Sequence, residues 1–167
     1  MRFEKVSYEA FCDDARAFTR DEEKLKQAYE NIVLPTRKTR YSAGYDICTP
    51  FDILILPSES IVVPTGIKAV FSEDEMDTWH LQMYVRSSVG IRDGIVLTNG
   101  TGIIDPDYQF AKNEGDMMLA LKNTSKYFSK RYAAGDRICQ AVFAMHGITV
   151  DDNANGNRTG GVGSTGK

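Results

Sequence analysis

Residues 80–85 read HLQMYV. Leu81, Met83 and Val85 share one face and His80, Gln82 and Tyr84 the other, the period of two that marks a half-buried strand. Working outward, the same kind of stretch recurs between turn signals. Residues 53–56 are an apolar run closed by Pro57-Ser58-Glu59-Ser60, and 61–63 are closed by Pro64-Thr65-Gly66. Residues 67–71, 94–98, 117–121 and 138–145 complete the set. Short strands at this spacing predict an all-β fold, a sandwich, jelly roll or barrel, from about Ile47 onward.

The first forty residues differ. Residues 3–6 suit a strand, while 8–16 and 21–32 are helix-like, with Leu25, Tyr29 and Ile32 at i, i+4 and i+7. Asp21-Glu22-Glu23 places negative charge where a helix N-terminus favours it, and Pro35 ends the pattern. The expected organisation is a β domain over 1–150, with a helical insertion at about 8–32, and a mobile glycine-rich arm over 151–167.

The chain has 167 residues, enough for one domain with a real core, and its net charge is −3. That balance argues against a general nucleic-acid binder, although a few focused arginines can still hold a small anion. Three cysteines, none in a C-x-x-C pair, and two histidines far apart in sequence suit neither a disulfide framework nor a zinc site. The polar start shows no signal peptide or membrane span, so the expectation is a cytoplasmic protein (host cytoplasm if phage-encoded) without a membrane partner.

Five stretches carry candidate chemistry: SAGYDI (42–47), VRSSVGIRDG (85–94), NGTGIIDPDYQ (99–109), GDRICQ (135–140) and RTGGVGSTGK (158–167). Each alone reads equally as a turn, an exposed loop or a flexible terminus. Together they supply Arg86, Arg137 and Arg158, hydroxyls beside glycines (Ser87, Ser164, Thr165) and the carboxylates Asp46 and Asp105. Arginine forks bind phosphate oxygens, glycine lets backbone N–H groups approach an anion, and a carboxylate holds a hydrated divalent cation. The last eight residues also satisfy most of a P-loop, but Lys167 is followed by neither Ser/Thr nor a helix.

In order, these stretches resemble the five motifs of the trimeric dUTPases, over roughly residues 34–167. The resemblance implies a jelly-roll β-barrel forming a homotrimer, with the terminal arm crossing to a neighbouring subunit as a lid. It implies hydrolysis of dUTP to dUMP and pyrophosphate, supplying dUMP for thymidylate synthesis, with Mg2+ held by the phosphates and no direct protein ligand. Asp105 then orients and deprotonates the attacking water, and Asp46 reaches the magnesium through water. Arg86, Ser87, Ser88 and Gln140 contact the phosphates, and Arg158, Gly161, Val162, Gly163, Ser164 and Thr165 close over the substrate in trans. Tyr108 packs on the deoxyribose, while a hairpin over 94–105 with Asn99, Gly102, Ile103 and Ile104, together with Met118, reads uracil. Arg137 is open between a phosphate contact and a structural ion pair.

The chain departs from the family pattern in several places. Val85 stands where motif two has Pro, and Val162 where motif five has an aromatic ring. A short insertion, Ala111 to Gly115, precedes Asp116. Phe110 either replaces the missing ring as a lid or covers the core edge. Residues 8–32 are either a surface decoration or a docking surface for a regulatory protein. The competing readings are a dCTP-deaminase-like enzyme and a phage-type regulator that uses dUTP as a switch.

Overall fold

The computed structural model describes residues 1–158 and 160. Its strands are β1 (Arg2–Lys5), β2 (Tyr45–Cys48), β3 (Ile53–Ile55), β4 (Ser60–Pro64), β5 (Ile67–Val70), β6 (Trp79–Val85), β7 (Ile95–Leu97), β8 (Gly102–Ile104), β9 (Met118–Asn123), β10 (Lys130–Tyr132) and β11 (Arg137–Met145). Helices α1 (Tyr8–Ala15), α2 (Glu22–Glu30) and the single turn α3 (Glu73–Met76) complete the order. Every strand pair is antiparallel. Two sheets have two strands each, β1-β5 and β10-β3; the others run β2-β11-β6-β8 and β4-β9-β7.

The alternation in β6 plays out as the period demands. Leu81 and Met83 are buried, while His80, Gln82 and Tyr84 stay half-buried on the other face. β11 is the long central strand, pairing β2 on one side and β6 on the other. Ile47, Ile55, Leu81, Ile95, Leu119, Leu121 and Ile138 form the interior between the sheets. Each such side chain contributes roughly 1.5–3 kcal/mol by leaving water.

The N-terminal helices are not a decoration laid over this core. Phe11, Ala15 and Leu25 are fully buried within it. Ser7 caps α1 by accepting from Ala10 N at 3.1 Å, and Asp21 caps α2 by accepting from Glu23 N and Lys24 N at 3.1 and 3.2 Å. Phe11 stacks on Phe51, with ring centroids 5.7 Å apart. Gly66 has φ +67° in the β4–β5 turn, and a Cβ there would lie 2.4 Å from Ile32 Cδ1 and 2.8 Å from Phe11 Cδ2. Only glycine lets the turn close while the side chains of Phe11 and Ile32 reach past it. Among the described residues no helix is long and apolar enough to cross a membrane.

Candidate active site

One cluster grows from the β2-β11-β6 ladder. Pairing places Asp46 opposite Gln140 and Gln140 opposite Tyr84, so the three share a row across the sheet. Gly44 keeps this row open, because a Cβ there would stand 2.6 Å from Gln140 Oε1. Arg86 follows β6 directly, and its N–H donates to Ile138 O at 2.9 Å. Its Nε pairs with Asp46 Oδ1 at 2.9 Å. The β2–β11 register slips between Arg137 and Cys139, a bulge of the kind that re-aims a side chain, and Arg137 Nη1 donates to Asp46 Oδ2 at 3.0 Å. The ion pair, one of the two readings of Arg137, is present, and Arg86 makes the same kind of pair. Ser87 and Ser88 stay exposed where the chain turns into a short π-type helix. Two guanidinium groups share one carboxylate, which leaves this cluster net positive.

A second cluster lies beyond β8. The expected hairpin over 94–105 is not laddered to itself: β7 pairs with β9 and β8 with β6, so the turn Thr98–Thr101 bridges the edges of two sheets. The alternation of neither three-residue strand says which sheet it joins. Gly100 sits in that turn at φ +75°, and Gly102 lies flat against Met83, where a Cβ would come within 3.1 Å of Met83 Cε. Asn99 and Ile103 are exposed, Ile104 is buried, and Met118 is half-buried at the start of β9. Asp105 then leads into a 3₁₀ turn over Pro106–Phe110.

Arg158 bonds both carboxylates at this end, Asp105 Oδ2 and, at 2.7 Å, Asp107 Oδ1. Its guanidinium carbon lies 5.8 Å from the centroid of the Tyr108 ring. Burial works against the charge of Arg158, but Asp107 and Asp105 hold its pKa above the usual arginine value. One guanidinium serves two carboxylates, so this cluster is net negative. Phe110 does not cover the core edge: it is 67% exposed and lines a cavity of about 330 Å³ with Asp107, Gly156, Asn157 and Arg158.

The two clusters do not meet in one chain. Leu81 pairs with Ile104, so Asp105 falls opposite His80, four rows from Tyr84 and three strands from Asp46. At about 3.4 Å per row and 4.8 Å per strand, Asp46 and Asp105 stand ~20 Å apart. Gly161, Val162, Gly163, Ser164 and Thr165 lie outside the described residues.

Sequence reasoning missed Asp107, although the Asp-Pro-Asp run contained it. It also read His80 and His146 as unrelated, yet their rings are 5.4 Å apart. No group of three His, Cys, Asp or Glu side chains able to hold a metal occurs among the described residues.

Fold and site together define a β protein with a net positive side-chain cluster and a net negative one toward opposite ends of one sheet. The dUTPase family profile matches residues 30–166, and the chain belongs to that family. The deoxyuridine 5'-triphosphate nucleotidohydrolase of Lactococcus lactis is 40% identical over 147 residues, covering 86% of this chain and 93% of the relative. The dUTPase of Streptococcus mutans superposes with a TM-score of 0.67 at 29% identity, over 91% of this chain and 100% of that one. The dUTPase of Staphylococcus bacteriophage 80alpha shares the fold at a TM-score of 0.61 and 22% identity, covering 78% of this chain and 94% of that one.

Proposed function

We propose that the chain is a dUTP diphosphatase, converting dUTP and water to dUMP and pyrophosphate. The observation that carries the reading is the sorting of charge: a net positive Arg86–Arg137–Asp46 cluster and a net negative Asp105–Asp107 cluster on the family's own motif segments. The first suits a polyphosphate and the second suits the activation of water.

A site needing both requires two copies, because ~20 Å exceeds the reach of one triphosphate. The sheets close as a jelly roll, and three copies pack head to tail with the positive end of one against the negative end of the next. Such a contact closes into a ring when the rotation allows. The arm of 151–167 exchanges between subunits, and Arg158 leaves Asp105 free when it does.

In the assembled site the base lies between the edges of β7 and β8, against Asn99, Gly102, Ile103, Ile104 and Met118. Tyr108 supports the deoxyribose and leaves no room for a 2′-hydroxyl. Arg86, Ser87, Ser88 and Gln140 hold the phosphates, and Arg158 with Gly161, Val162, Gly163, Ser164 and Thr165 covers them. Phe110, exposed beside Arg158, supplies a ring where Val162 cannot. Asp105 accepts a proton from water as the water oxygen bonds the α-phosphorus and the α–β bridging bond breaks, releasing pyrophosphate.

A magnesium ion would neutralise phosphate charge. The donor set fits an ion brought in by the nucleotide: Asp46 offers one carboxylate, already engaged by two arginines, and would reach the ion through water.

Incubation with magnesium and each of dUTP, dCTP, dTTP and UTP tests the reading. Pyrophosphate from dUTP alone, lost in Asp105→Asn, is the expected result. Ammonia from dCTP, or dUTP binding without turnover, would replace it with a deaminase or a regulator.

A further inference from the structure

Two segments depart from the family's motif pattern, the helices within residues 8–32 and the insertion Ala111–Gly115, and the structure joins them. Asn113 Nδ2 donates to Asp14 Oδ2 on α1 at 3.2 Å and to the Tyr108 hydroxyl at 3.0 Å. That hydroxyl donates to Asp116 O at 2.9 Å. Gly115 N donates to Asn113 Oδ1 at 3.3 Å, so the amide has one self-consistent orientation. Glu114 accepts from Ser7 N, the cap of α1, at 2.9 Å and pairs with Lys68 Nζ at 3.7 Å. Gly115, at φ +82°, presses against the backbone beneath the ring, where a Cβ would lie 2.8 Å from Tyr108 O and 2.9 Å from Gln109 Cα.

A buried phenol needs a partner for its hydroxyl, and one would be enough. Here the hydroxyl is held on both its donor and acceptor sides, and the donor reaches it from a residue that is itself tied to α1. Packing alone asks for none of this, since a phenylalanine would fill the same space. What the chain of bonds adds is a fixed tilt and depth for the ring.

We infer that Asn113 and Asp14 are positioning residues for Tyr108, and that the N-terminal helices and the loop before Asp116 form one device setting how closely that ring approaches the sugar. The inference rests on the reading of the chain as a dUTP diphosphatase. It makes residues 8–32, already part of the core, also part of the discrimination between deoxyribose and ribose. A ring free to retreat admits a 2′-hydroxyl that a fixed ring excludes.

The test measures kcat and KM for dUTP and UTP with the full chain and magnesium, for wild type, Asn113→Ala, Tyr108→Phe, their double variant and Asp14→Ala. The expected result is a fall of about tenfold in the dUTP/UTP ratio of kcat/KM for Asn113→Ala, through UTP, with kcat for dUTP within about twofold. The double variant falls no further than the larger single one, because both remove the same constraint. Asp14→Ala moves the ratio the same way by less, and it decides the matter if Asn113→Ala does not fold. An unchanged ratio alongside a lowered melting temperature overturns the inference, as do losses that multiply in the double variant. A wild type that releases no pyrophosphate from dUTP overturns the functional reading beneath it.

Discussion

The two ends of the β2-β11-β6-β8 sheet use the same residue types in opposite proportion. At one end two arginines share Asp46; at the other Arg158 is shared by Asp105 and Asp107. Their supports differ too. Asp46 lies within β2, and Arg86 and Arg137 lie at the ends of neighbouring strands, so the positive end is set by ladder register. Asp105 and Asp107 sit on a loop and a short turn, and their counter-ion comes from residue 158, beyond the last strand. Under the proposed function the difference divides the work: an end fixed by strand register to hold phosphate charge, and an end whose carboxylates would become available once one side chain moves away.

The largest expected effect falls on the negative end. Asp105→Asn should lower kcat about 10³-fold while KM changes little, in a pyrophosphate-release assay. Arg86→Ala at the positive end should instead raise KM by about tenfold or more, the cost of losing charge-assisted bonds to phosphate. If both variants acted mainly on KM, the division between the ends would be wrong. Mixing and reassembling the two variant proteins sharpens the point: with halves drawn from different copies, about one quarter of the sites in an equal mixture carry both intact halves. No recovery would mean that one chain supplies both.

A smaller effect separates Asp46 from its arginines. Asp46→Asn makes the positive end more positive, so metal-free dUTP should bind about threefold tighter by calorimetry while turnover with magnesium falls. The effect smallest in turnover concerns stability, at Asp116, whose backbone oxygen accepts from the Tyr108 hydroxyl. Asp116 is fully buried, and burial, with the nearby charge of Asp14, pushes its carboxyl up to about 7. A raised folded-state pKa means stability fully present below the ordinary aspartate value of about 4 and lost as pH rises through 7. The melting temperature of wild type relative to Asp116→Asn should therefore drop between pH 5 and pH 8, and a parallel pair of curves would refute this.

Much of this was legible in the residues. The period of two found β6, apolar stretches between turn signals found β9 and β11, and i, i+4, i+7 spacing found α2. β2, β8 and β10 escaped because they lack the bounded apolar run that marked the equally short β3, and are made strands by the partners they pair with, as Lys130-Arg131-Tyr132 is by β3. The motif segments located Asp46, Arg86, Asp105 and Arg158, but register decides which of them stand together, and no one-dimensional spacing carries it. The burial of Phe11 gave no sequence signal, because it is completed by Gly66, more than fifty residues away. Asn113 and Asp14 gave no signal at all: a bond between side chains 99 positions apart leaves no periodicity.

The seam between β7 and β8 has a consequence for descent and for inhibitors. Both strands are sheet edges joined by one turn, so a base held between them as proposed would meet peptide groups, which every amino acid but proline carries alike. Point substitutions other than to proline at the exposed Val96 change the outer surface and leave those donors and acceptors where they were. Drift along a lineage can recolour the molecule around this seam without rewriting the proposed backbone contacts. Apart from a proline, which deletes a donor, rewriting them takes the gain or loss of a codon there, which shifts the strand's pairing by one residue. A compound that bonds only to the seam's backbone would meet resistance through proline or through such rare length changes rather than through other single substitutions.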